Sequence, residues 1–493
     1  MNTPSPWSFY GRQSEVRALA EVLRRQRWFF IRISGRRRIG KTALVRQAVR
    51  AAGLQRVAFV QIDDTDAAGV VATARRHFAL CGVPESMLPT DLRSLATCIA
   101  DLAADGWVVV LDEFQYFSRK SLFVFNSMLQ FEVDRFRLGE RAATGGVVLL
   151  GSLHTEMMAL LEDRRAPLYG RLSGGFHVTH LDAPAVIRMW QEHTDGDPSR
   201  LFFLWGLFQG VPKYWQDAWE LNLLSAPRRE LLRGLFFEGP APLRDEGPAW
   251  LLEELHGRYD LFLRYIAHHP GCTRADILAH ADGLKGFGDG QPGFYLTALE
   301  QRFGLIRRRE PAFAAPSGRQ GRYVISDNFL QAWLGALADP VALSSLRPVE
   351  DLLERADTLL ASTEGWVLEQ LAAWLYQEQS RLGVSDFPLT AAVTGWWDRT
   401  GAEVDLVAQN ADARQLRLGS CKRSADKLVA DLPRFNNHIA RLLDRNRQFA
   451  DWEIQKVAIA PLLSPAHRQA ITAAGYIPQD LTDLTRPIAH ISG

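Results

Sequence analysis

The sequence predicts an α/β protein whose first part contains a parallel β-sheet and whose later parts are smaller helical and mixed modules. Three short apolar runs, each typical of a strand buried on both faces, lie at residues 28–33, 108–111 and 145–150. The first run leads into the segment GRRRIGKT at residues 35–42, which a helical pattern follows. The second run ends at the adjacent acids Asp112 and Glu113. Because parallel sheets bind ligands where their strands end, these features predict a site at one edge of the sheet.

Residues 35–42 match the pattern GxxxxGKT, the phosphate-binding P-loop. Gly35 and Gly40 would let the backbone turn tightly, so that its N–H groups surround a phosphate. Lys41 would reach the β- and γ-phosphates, and the Thr42 hydroxyl would be a ligand of Mg²⁺. We therefore expect ATP and Mg²⁺ as cofactors; a ligand-free glycine turn is the alternative. The residues expected to bind the nucleotide here are Gly35, Arg36, Arg37, Arg38, Ile39, Gly40, Lys41, Thr42 and Ala43.

The ends of the other two strands supply the expected catalytic groups. Asp112 would hold Mg²⁺ through water, and Glu113 would polarise the attacking water. The third strand ends before Ser152 and His154, either of which would orient that water or sense the γ-phosphate. The alternative for these two residues is an ordinary helix cap.

Two further segments contain aromatic and basic residues that suit a nucleotide. In FYGR at residues 9–12, Tyr10 and Arg12 would bracket the adenine base, although a simple entry turn fits equally well. In PLYGR at residues 167–171, Arg171 would neutralise charge in the transition state, from the same chain or from a neighbour. Arg164 and Arg165 are its rivals, and a surface salt bridge is the alternative.

These motifs resemble those of the archaeal-type ATPase family within the AAA+/STAND division of P-loop NTPases. The resemblance rests on FYGR, GRRRIGKT, VVVLDEFQYF, GSLHTEMMALL, PLYGR and GLFQGVPKYW, and it covers roughly residues 8–345. In that family the region matching GVPKYW lies in a helical lid beside the nucleotide. The resemblance therefore implies that Pro212 and Lys213 belong to a lid.

Residues 251–345 predict a winged helix. Helical patterns at 259–267, 273–280 and 293–302 precede a hairpin at 305–309 and 321–325, and this order is that of a winged helix-turn-helix. Residues 294–302 would be the recognition helix. Six arginines in and around the hairpin would contact DNA phosphates, namely Arg302, Arg307, Arg308, Arg309, Arg319 and Arg322. The alternative is a protein-docking module.

The last part of the chain resembles the PD-(D/E)XK nuclease superfamily. A helix opening at Gly365 carries Glu369, and a predicted strand at 402–408 carries Asp405. The next predicted strand, 415–422, carries Lys422 where that superfamily has its lysine, but Ser420 stands where its glutamate is expected. Since a hydroxyl carries no charge, we expect a weakened Mg²⁺ site and an inactive or DNA-gripping domain. A plain mixed sheet with solvated charges is the alternative.

Composition sets the remaining expectations. The chain has 493 residues, 47% of them hydrophobic, and a net charge of +1, which excludes a uniformly basic nucleic-acid-binding surface. Its four cysteines lack CxxC spacing, which favours a reducing compartment over a zinc site. It has no apolar run long enough for a membrane span, so we expect a cytoplasmic protein without a membrane partner.

The motifs predict a P-loop NTPase parallel sheet and a winged helix-turn-helix, and the two resemblances imply in addition a helical lid and a C-terminal α/β restriction-endonuclease-like domain. The expected boundaries of these four parts are 1–182, 183–250, 251–345 and 346–493. The expected partners are a nucleotide and DNA, and a homo-oligomer or a protein partner stays open. Three functional hypotheses follow: an ATPase that governs DNA engagement, a slow nucleotide switch acting through protein contacts, and an active ATP-controlled nuclease.

Overall fold

The computed structural model describes residues 6–152, 154–248, 255, 259–282, 291–314 and 320–491. The chain forms two compact units. The first unit comprises Gly11–His180 with Val211–Lys213, and the second comprises Met1–Tyr10, Leu181–Gly210 and Tyr214–Gly493. The finer division into core, lid, winged helix and C-terminal domain stays a prediction.

A parallel sheet is the framework of the first unit. Its strands are β1 (Phe29–Ser34), β2 (Val57–Gln61), β3 (Val108–Asp112), β4 (Gly146–Gly151) and β5 (Gly174–His177). They lie in the order β2-β3-β4-β1-β5, and all neighbouring strands are parallel. Its helices are α1 (Gln13–Arg24), α2 (Lys41–Ala52), α3 (Ala67–Leu80), α4 (Leu92–Ala104), α5 (Val124–Arg137) and α6 (His154–Leu161). The three predicted apolar strands are confirmed, whereas β5, with its exposed glycines, has no apolar run that would predict it.

Burial on both faces explains why the apolar runs form strands. Phe30, Val109 and Leu149 are fully buried, in one core cluster with residues of α3, α4 and α5. Such strands are covered by helices on both sides and run parallel, so their carboxyl ends meet at one edge. Because β4 lies between β1 and β3, the segments after these three strands share that edge.

Helices dominate the beginning of the second unit. They are α7 (Ala183–His193), α8 (Pro198–Phe208), α9 (Pro212–Glu220, whose first two residues belong to the first unit) and α10 (Arg228–Leu232). Large side chains such as Phe208, Tyr214 and Trp215 are fully buried among them. These helices occupy the range in which the sequence predicts a lid.

A small module of three helices and three strands follows in the second unit. Its elements are α11 (Tyr259–His268), β6 (Cys272–Thr273), α12 (Arg274–Asp282), α13 (Gln291–Thr297), β7 (Ile306–Arg309) and β8 (Arg322–Ile325). The strands are antiparallel in the order β6-β8-β7, and one π-helical turn, Ala298–Arg302, extends α13. The three predicted helices and the hairpin are therefore confirmed, while Arg319 lies outside the described residues.

The remainder of the second unit surrounds a five-stranded mixed sheet. The elements are α14 (Asn328–Ala332), α15 (Ala338–Ala342), α16 (Val349–Leu382), β9 (Thr394–Trp397), β10 (Glu403–Asn410), β11 (Gln415–Cys421), α17 (Ala425–Arg445), β12 (Glu453–Ala460), α18 (Pro465–Ala473), β13 (Ile477–Asp480) and α19 (Leu481–Ala489). The strand order is β13-β12-β11-β10-β9. The pairs β9–β10 and β10–β11 are antiparallel, whereas β11, β12 and β13 run parallel.

The helix that precedes this sheet differs from the prediction. The sequence predicts that it opens at Gly365, but α16 begins at Val349. Leu352, Ala356 and Leu360 form a buried stripe at helical spacing, and their burial outweighs the cost of about 1 kcal/mol for a glycine inside a helix. In the part of the chain that the structure describes, no helix combines the length and the apolar character needed to cross a membrane.

Candidate functional site

The loop between β1 and α2 places its two motif glycines in backbone conformations that side chains disfavour. Gly35 has φ +155° and Gly40 has φ +95°. A Cβ atom on Gly35 would lie 2.4 Å from the carbonyl oxygen of Val178, so only glycine fits without rearrangement. Ile39 is fully buried and anchors the loop, which also contains Arg36, Arg37 and Arg38. The loop ends at the first turn of α2, which includes Ala43 and whose N–H groups can bind an anion.

Lys41 lies at the start of α2 with its side chain folded back over the loop. Its Nζ donates hydrogen bonds to the carbonyl oxygens of Gly35, at 2.9 Å, and Arg36, at 3.0 Å. Burial lowers the pKa of Lys41 to about 8, although the nearby carboxylates of Glu113 and Asp112 oppose this shift. The P-loop lysine and the two acids at the end of β3 are therefore close enough to interact, as the sequence predicts.

A hydrogen bond joins Thr42 to Asp112. The Oγ1 atom of Thr42 donates to Oδ2 of Asp112 at 2.7 Å, and Oδ1 of Asp112 accepts from the backbone N–H of Glu113 at 2.9 Å. The structure thus brings together the two residues that the sequence predicts as metal-binding. A hydroxyl and a carboxylate are oxygen donors of the kind that Mg²⁺ prefers, and the motif glycines form the cradle that a phosphate needs. The residues present therefore fit Mg²⁺ and a nucleotide.

Glu113 lies within a small polar network at the ends of β3 and β4. Its Oε2 atom accepts a hydrogen bond from Oγ of Ser152 at 2.9 Å and another from the amide of Gln115. The Gln115 amide also donates to Oγ of Ser152 at 3.2 Å. Glu113 itself has a left-handed backbone, with φ 57°, which is uncommon for a residue with a side chain. Ser152 was predictable from the sequence, whereas Gln115 was not, because only the fold brings residues 115 and 152 together.

The remaining predicted nucleotide-binding residues divide between the two units. Arg12 is buried and donates to the carbonyl oxygens of Ile39, at 3.1 Å, and Thr179, at 2.6 Å, so it supports the loop backbone. Pro212 also borders the loop, since its Cγ lies 3.5 Å from the position that a Cβ on Gly40 would occupy. Tyr10 belongs to the second unit, where its hydroxyl donates to Oε2 of Glu192 at 2.6 Å.

Arg171 forms a salt bridge, which is the alternative to a catalytic role that the sequence leaves open. Its Nε and Nη2 atoms each donate to a carboxylate oxygen of Asp134 at 2.8 Å, and this bidentate pair lowers the pKa of Asp134. A role for Arg171 in catalysis stays a prediction, and it would require this pair to open. Arg164 and Arg165 are exposed, and the side chain of His154 lies outside the described residues.

A second cluster of charged residues lies at the ends of β10 and β11. Oδ2 of Asp405 accepts from Nζ of Lys422 at 3.1 Å, from the backbone N–H of Cys421 at 2.8 Å and from Oγ of Ser420 at 3.3 Å. Burial, together with the proximity of Asp405, raises the pKa of Glu369 well above its ordinary value. Burial would lower the pKa of Lys422, but its contact with Asp405 raises it instead. The four predicted residues thus lie together, with Asp405 occupied by internal partners.

The arginines of the β7–β8 hairpin contact the C-terminal part of the second unit. The Arg309 guanidinium lies 4.3 Å from the ring centroid of Trp366, and that of Arg322 lies 4.5 Å from the ring centroid of Trp397. Arg322 also forms a salt bridge with Glu403. Burial lowers the pKa of Arg309 to about 10. Arg309 and Arg322 thus have aromatic and acidic neighbours within the second unit, and the expectation that the hairpin arginines contact DNA phosphates stays a prediction.

No protein-family model matches the chain. Over 450 residues the chain is 23% identical to an uncharacterized protein of Methanocaldococcus jannaschii, covering 86% of this chain and 91% of that protein.

Solved structures give the clearer comparison. The structure resembles that of the Walker-type ATPase PABY2304 of Pyrococcus abyssi with a TM-score of 0.50 and 17% identity, covering 67% of this chain and 98% of that one. The ORC2 protein of Aeropyrum pernix, solved in ADPNP–ADP complexes, aligns with a TM-score of 0.46 and 14% identity over 73% of this chain and 96% of that one. The likeness to the Pyrococcus ATPase shows that this α/β chain, with its five-stranded parallel sheet, has the fold of a P-loop NTPase.

Proposed function

We propose that the first unit binds ATP with Mg²⁺ and hydrolyses it. The observation that carries this proposal is the hydrogen bond of 2.7 Å between Thr42 and Asp112, which joins the P-loop to the acidic end of β3. Two oxygen donors from distant parts of the chain meet there, beside a buried lysine and next to Glu113. In P-loop enzymes a threonine and an acid in this relation hold the ion that bridges the phosphates.

Each residue of the site then has a defined task. The loop backbone and Lys41 would hold the β- and γ-phosphates, and Thr42 and Asp112 would hold Mg²⁺, which would neutralise phosphate charge. Glu113 accepts a hydrogen bond from the attacking water and so orients it. Ser152, at the end of β4, holds the Glu113 carboxylate, and Arg12 and Pro212 support the loop from its sides.

A binding experiment tests the nucleotide site. The variant Lys41→Ala removes the charge that would face the phosphates, so we expect at least a tenfold loss in affinity for a fluorescent ATP analogue with Mg²⁺. Lys120→Ala is the matched control, because Lys120 is an exposed lysine of the same unit. Equal affinity in both variants would refute the proposal.

We also propose that the nucleotide state governs DNA engagement by the small module of α11–α13 and β6–β8. Three helices followed by an antiparallel hairpin are the order of a winged helix-turn-helix, which supports this assignment. Phe294 on the predicted recognition helix is 66% exposed, and Arg302 at its end is also exposed. Binding to labelled duplex DNA at low salt tests the contact of this module with DNA. The affinity is compared between the wild type and Arg302→Gln, and an unchanged affinity would contradict the contact.

The C-terminal domain is, in this proposal, a nuclease-like domain that has lost its cleavage activity. The order of α16, β9, β10, β11, α17 and β12 is consistent with such a domain. Ser420 brings no charge, and Asp405 is already paired with Lys422. Within the described residues, no group of three or more His, Cys, Asp or Glu side chains is arranged to hold a metal ion. We expect no Mg²⁺-dependent DNA cleavage by the wild-type protein.

One observation favours the second candidate function, a slow nucleotide switch. The Glu113 carboxylate accepts hydrogen bonds from both Gln115 and Ser152 through one oxygen, Oε2, so these bonds restrain the turning of the carboxylate towards a water. Such a restraint would slow hydrolysis and prolong the ATP-bound state. If the hydrogen bonds restrain Glu113, Gln115→Leu should raise the rate of ATP turnover. If Glu113 is not restrained, the substitution should not raise this rate.

A further inference from the structure

The second unit contains a cavity that none of the preceding functions uses. Its volume is about 540 Å³, within the range of about 300–1,000 Å³ typical of small-molecule sites. Strand β7 of the hairpin forms one wall and helix α16 another. Trp205 and Gln209 at the end of α8, together with residues 392–394, complete it.

The charges in the cavity are mostly positive. Arg307, Arg308 and Arg309 line it, against a single acid among the lining residues, Glu310. Glu310 pairs with Arg308 at 2.7 Å. Arg307 donates to the side-chain oxygen of Gln370 at 2.9 Å, and in the described part of the chain no carboxylate pairs with it. The guanidinium of Arg307 is therefore a positive charge without a negative partner among the described residues, and it lines a space large enough for an anion.

Aromatic and amide groups make up much of the remaining wall. Trp366 and Trp374 are partly exposed, and Trp374 lies 5.6 Å from Trp205 between ring centroids. The buried indole N–H of Trp205 has no hydrogen-bond partner among the described residues. The side-chain oxygen of Gln370 accepts a hydrogen bond from Arg307, and that of Gln377 accepts one from the backbone N–H of Val393. The NH₂ groups of both glutamines make no hydrogen bond to a described residue.

These groups match the parts of one nucleotide. A guanidinium group binds phosphate oxygens through a pair of N–H groups in a fixed geometry, and a tryptophan ring can stack with any of the bases. Amide donors can bind the acceptor atoms on a base edge. We propose that this cavity binds one nucleotide unit, either free or at the end of a single strand, with its phosphate on Arg307. The residues that line the cavity do not include any of the P-loop or of the predicted recognition helix.

The test uses the full-length Lys41→Ala protein, so that the P-loop does not contribute. The two probes are dTMP and a fluorescein-labelled oligothymidylate of about twelve nucleotides, a length suited to a single-strand site. Tryptophan fluorescence reports dTMP binding, and anisotropy reports strand binding. Binding of dTMP identifies a free nucleotide as the ligand, and binding of the oligomer alone identifies a strand end.

Matched arginine variants locate the site. In Arg307→Gln we expect the dissociation constant to rise about tenfold, because a charge-assisted contact to phosphate is lost. Arg307→Lys, which keeps the charge but not this pair of N–H groups, should weaken binding by less. Arg347→Gln is the control, since Arg347 is an exposed arginine of the same unit that does not line the cavity. The proposal is overturned if neither probe binds, or if Arg307→Gln and Arg347→Gln bind the probes alike.

Discussion

Lys41 is a buried cation whose neighbours within hydrogen-bonding distance are neutral carbonyl groups. It donates to Gly35 and Arg36 while Glu113 and Asp112 interact with it from further away. Desolvation disfavours its charged form, which is why its pKa falls to about 8. A triphosphate beside Lys41 would favour the charged form, so nucleotide binding and protonation of this side chain should be coupled.

This coupling predicts a proton uptake that depends on pH. Below pH 8 the free protein already carries the Lys41 proton, so binding should take up almost none. Above pH 8 the free side chain loses its proton while the nucleotide-bound one keeps it, so ATP affinity should fall as pH rises and uptake should approach about one proton. Calorimetric titration in two buffers of different ionisation enthalpy, at pH 7 and at pH 9, measures this number. The same near-zero uptake at both pH values would contradict the assignment.

Gly35 gives a second prediction, about stability. An alanine there would have φ +155° and a Cβ atom 2.4 Å from the backbone oxygen of Val178, and neither strain is easily relieved. We expect Gly35→Ala to destabilise the first unit by about 1–3 kcal/mol. Gly174→Ala is the control, because a Cβ at Gly174 meets nothing within 4 Å. Thermal unfolding should separate the two variants, and equal melting temperatures would show that the loop can rearrange.

The strands and the loops after them were predictable because local signals define them. The apolar runs of β1, β3 and β4 and the residues after them are contiguous in sequence, and parallel pairing brings their ends to one edge. Contacts that depend on tertiary packing were not predictable. Gln115 meets Ser152, and Asp134 pairs with Arg171, across 37 residues of sequence in each case.

The contacts of the β7–β8 hairpin were likewise not predictable from the sequence. Its strands follow from their sequence pattern, and the run of arginines suggested a free basic surface. Trp366 and Trp397, which lie beside Arg309 and Arg322, belong to α16 and β9, and no local pattern links them to the hairpin. The arginines therefore pack against aromatic rings, a contact that combines cation–π attraction with burial of the apolar stems.

The Asp405–Lys422 pair between β10 and β11 predicts a measurable coupling. Lys422→Met would leave the buried Asp405 without its cation, at a cost of about 2 kcal/mol, reduced because about a third of the Lys422 side chain stays in water. Asp405→Asn in the same chain should recover most of that loss. Urea unfolding of the single and double variants forms a double-mutant cycle, in which additive effects would mean that the pair contributes no coupling.

For the whole molecule, we propose that residues 35–42 and the end of β3 form one site for ATP hydrolysis. The second unit can be tested separately, because Lys41→Ala is expected to disable the proposed nucleotide site and Lys41 is not among the residues that line the cavity beside β7. The P-loop fold alone does not establish turnover, since proteins of one fold carry out different functions. The catalytic group must therefore be tested separately from the binding groups.

The most direct measurement compares steady-state ATP hydrolysis and ATP affinity in the wild-type protein and in Glu113→Gln. The substitution keeps the shape of the side chain and removes its ability to act as a base. We expect affinity to change less than about threefold and turnover to fall about 10²–10³-fold. Unchanged turnover would contradict the assignment of Glu113 and with it the proposed ATPase site. A loss of ATP affinity large enough to explain the whole loss of turnover would contradict them as well.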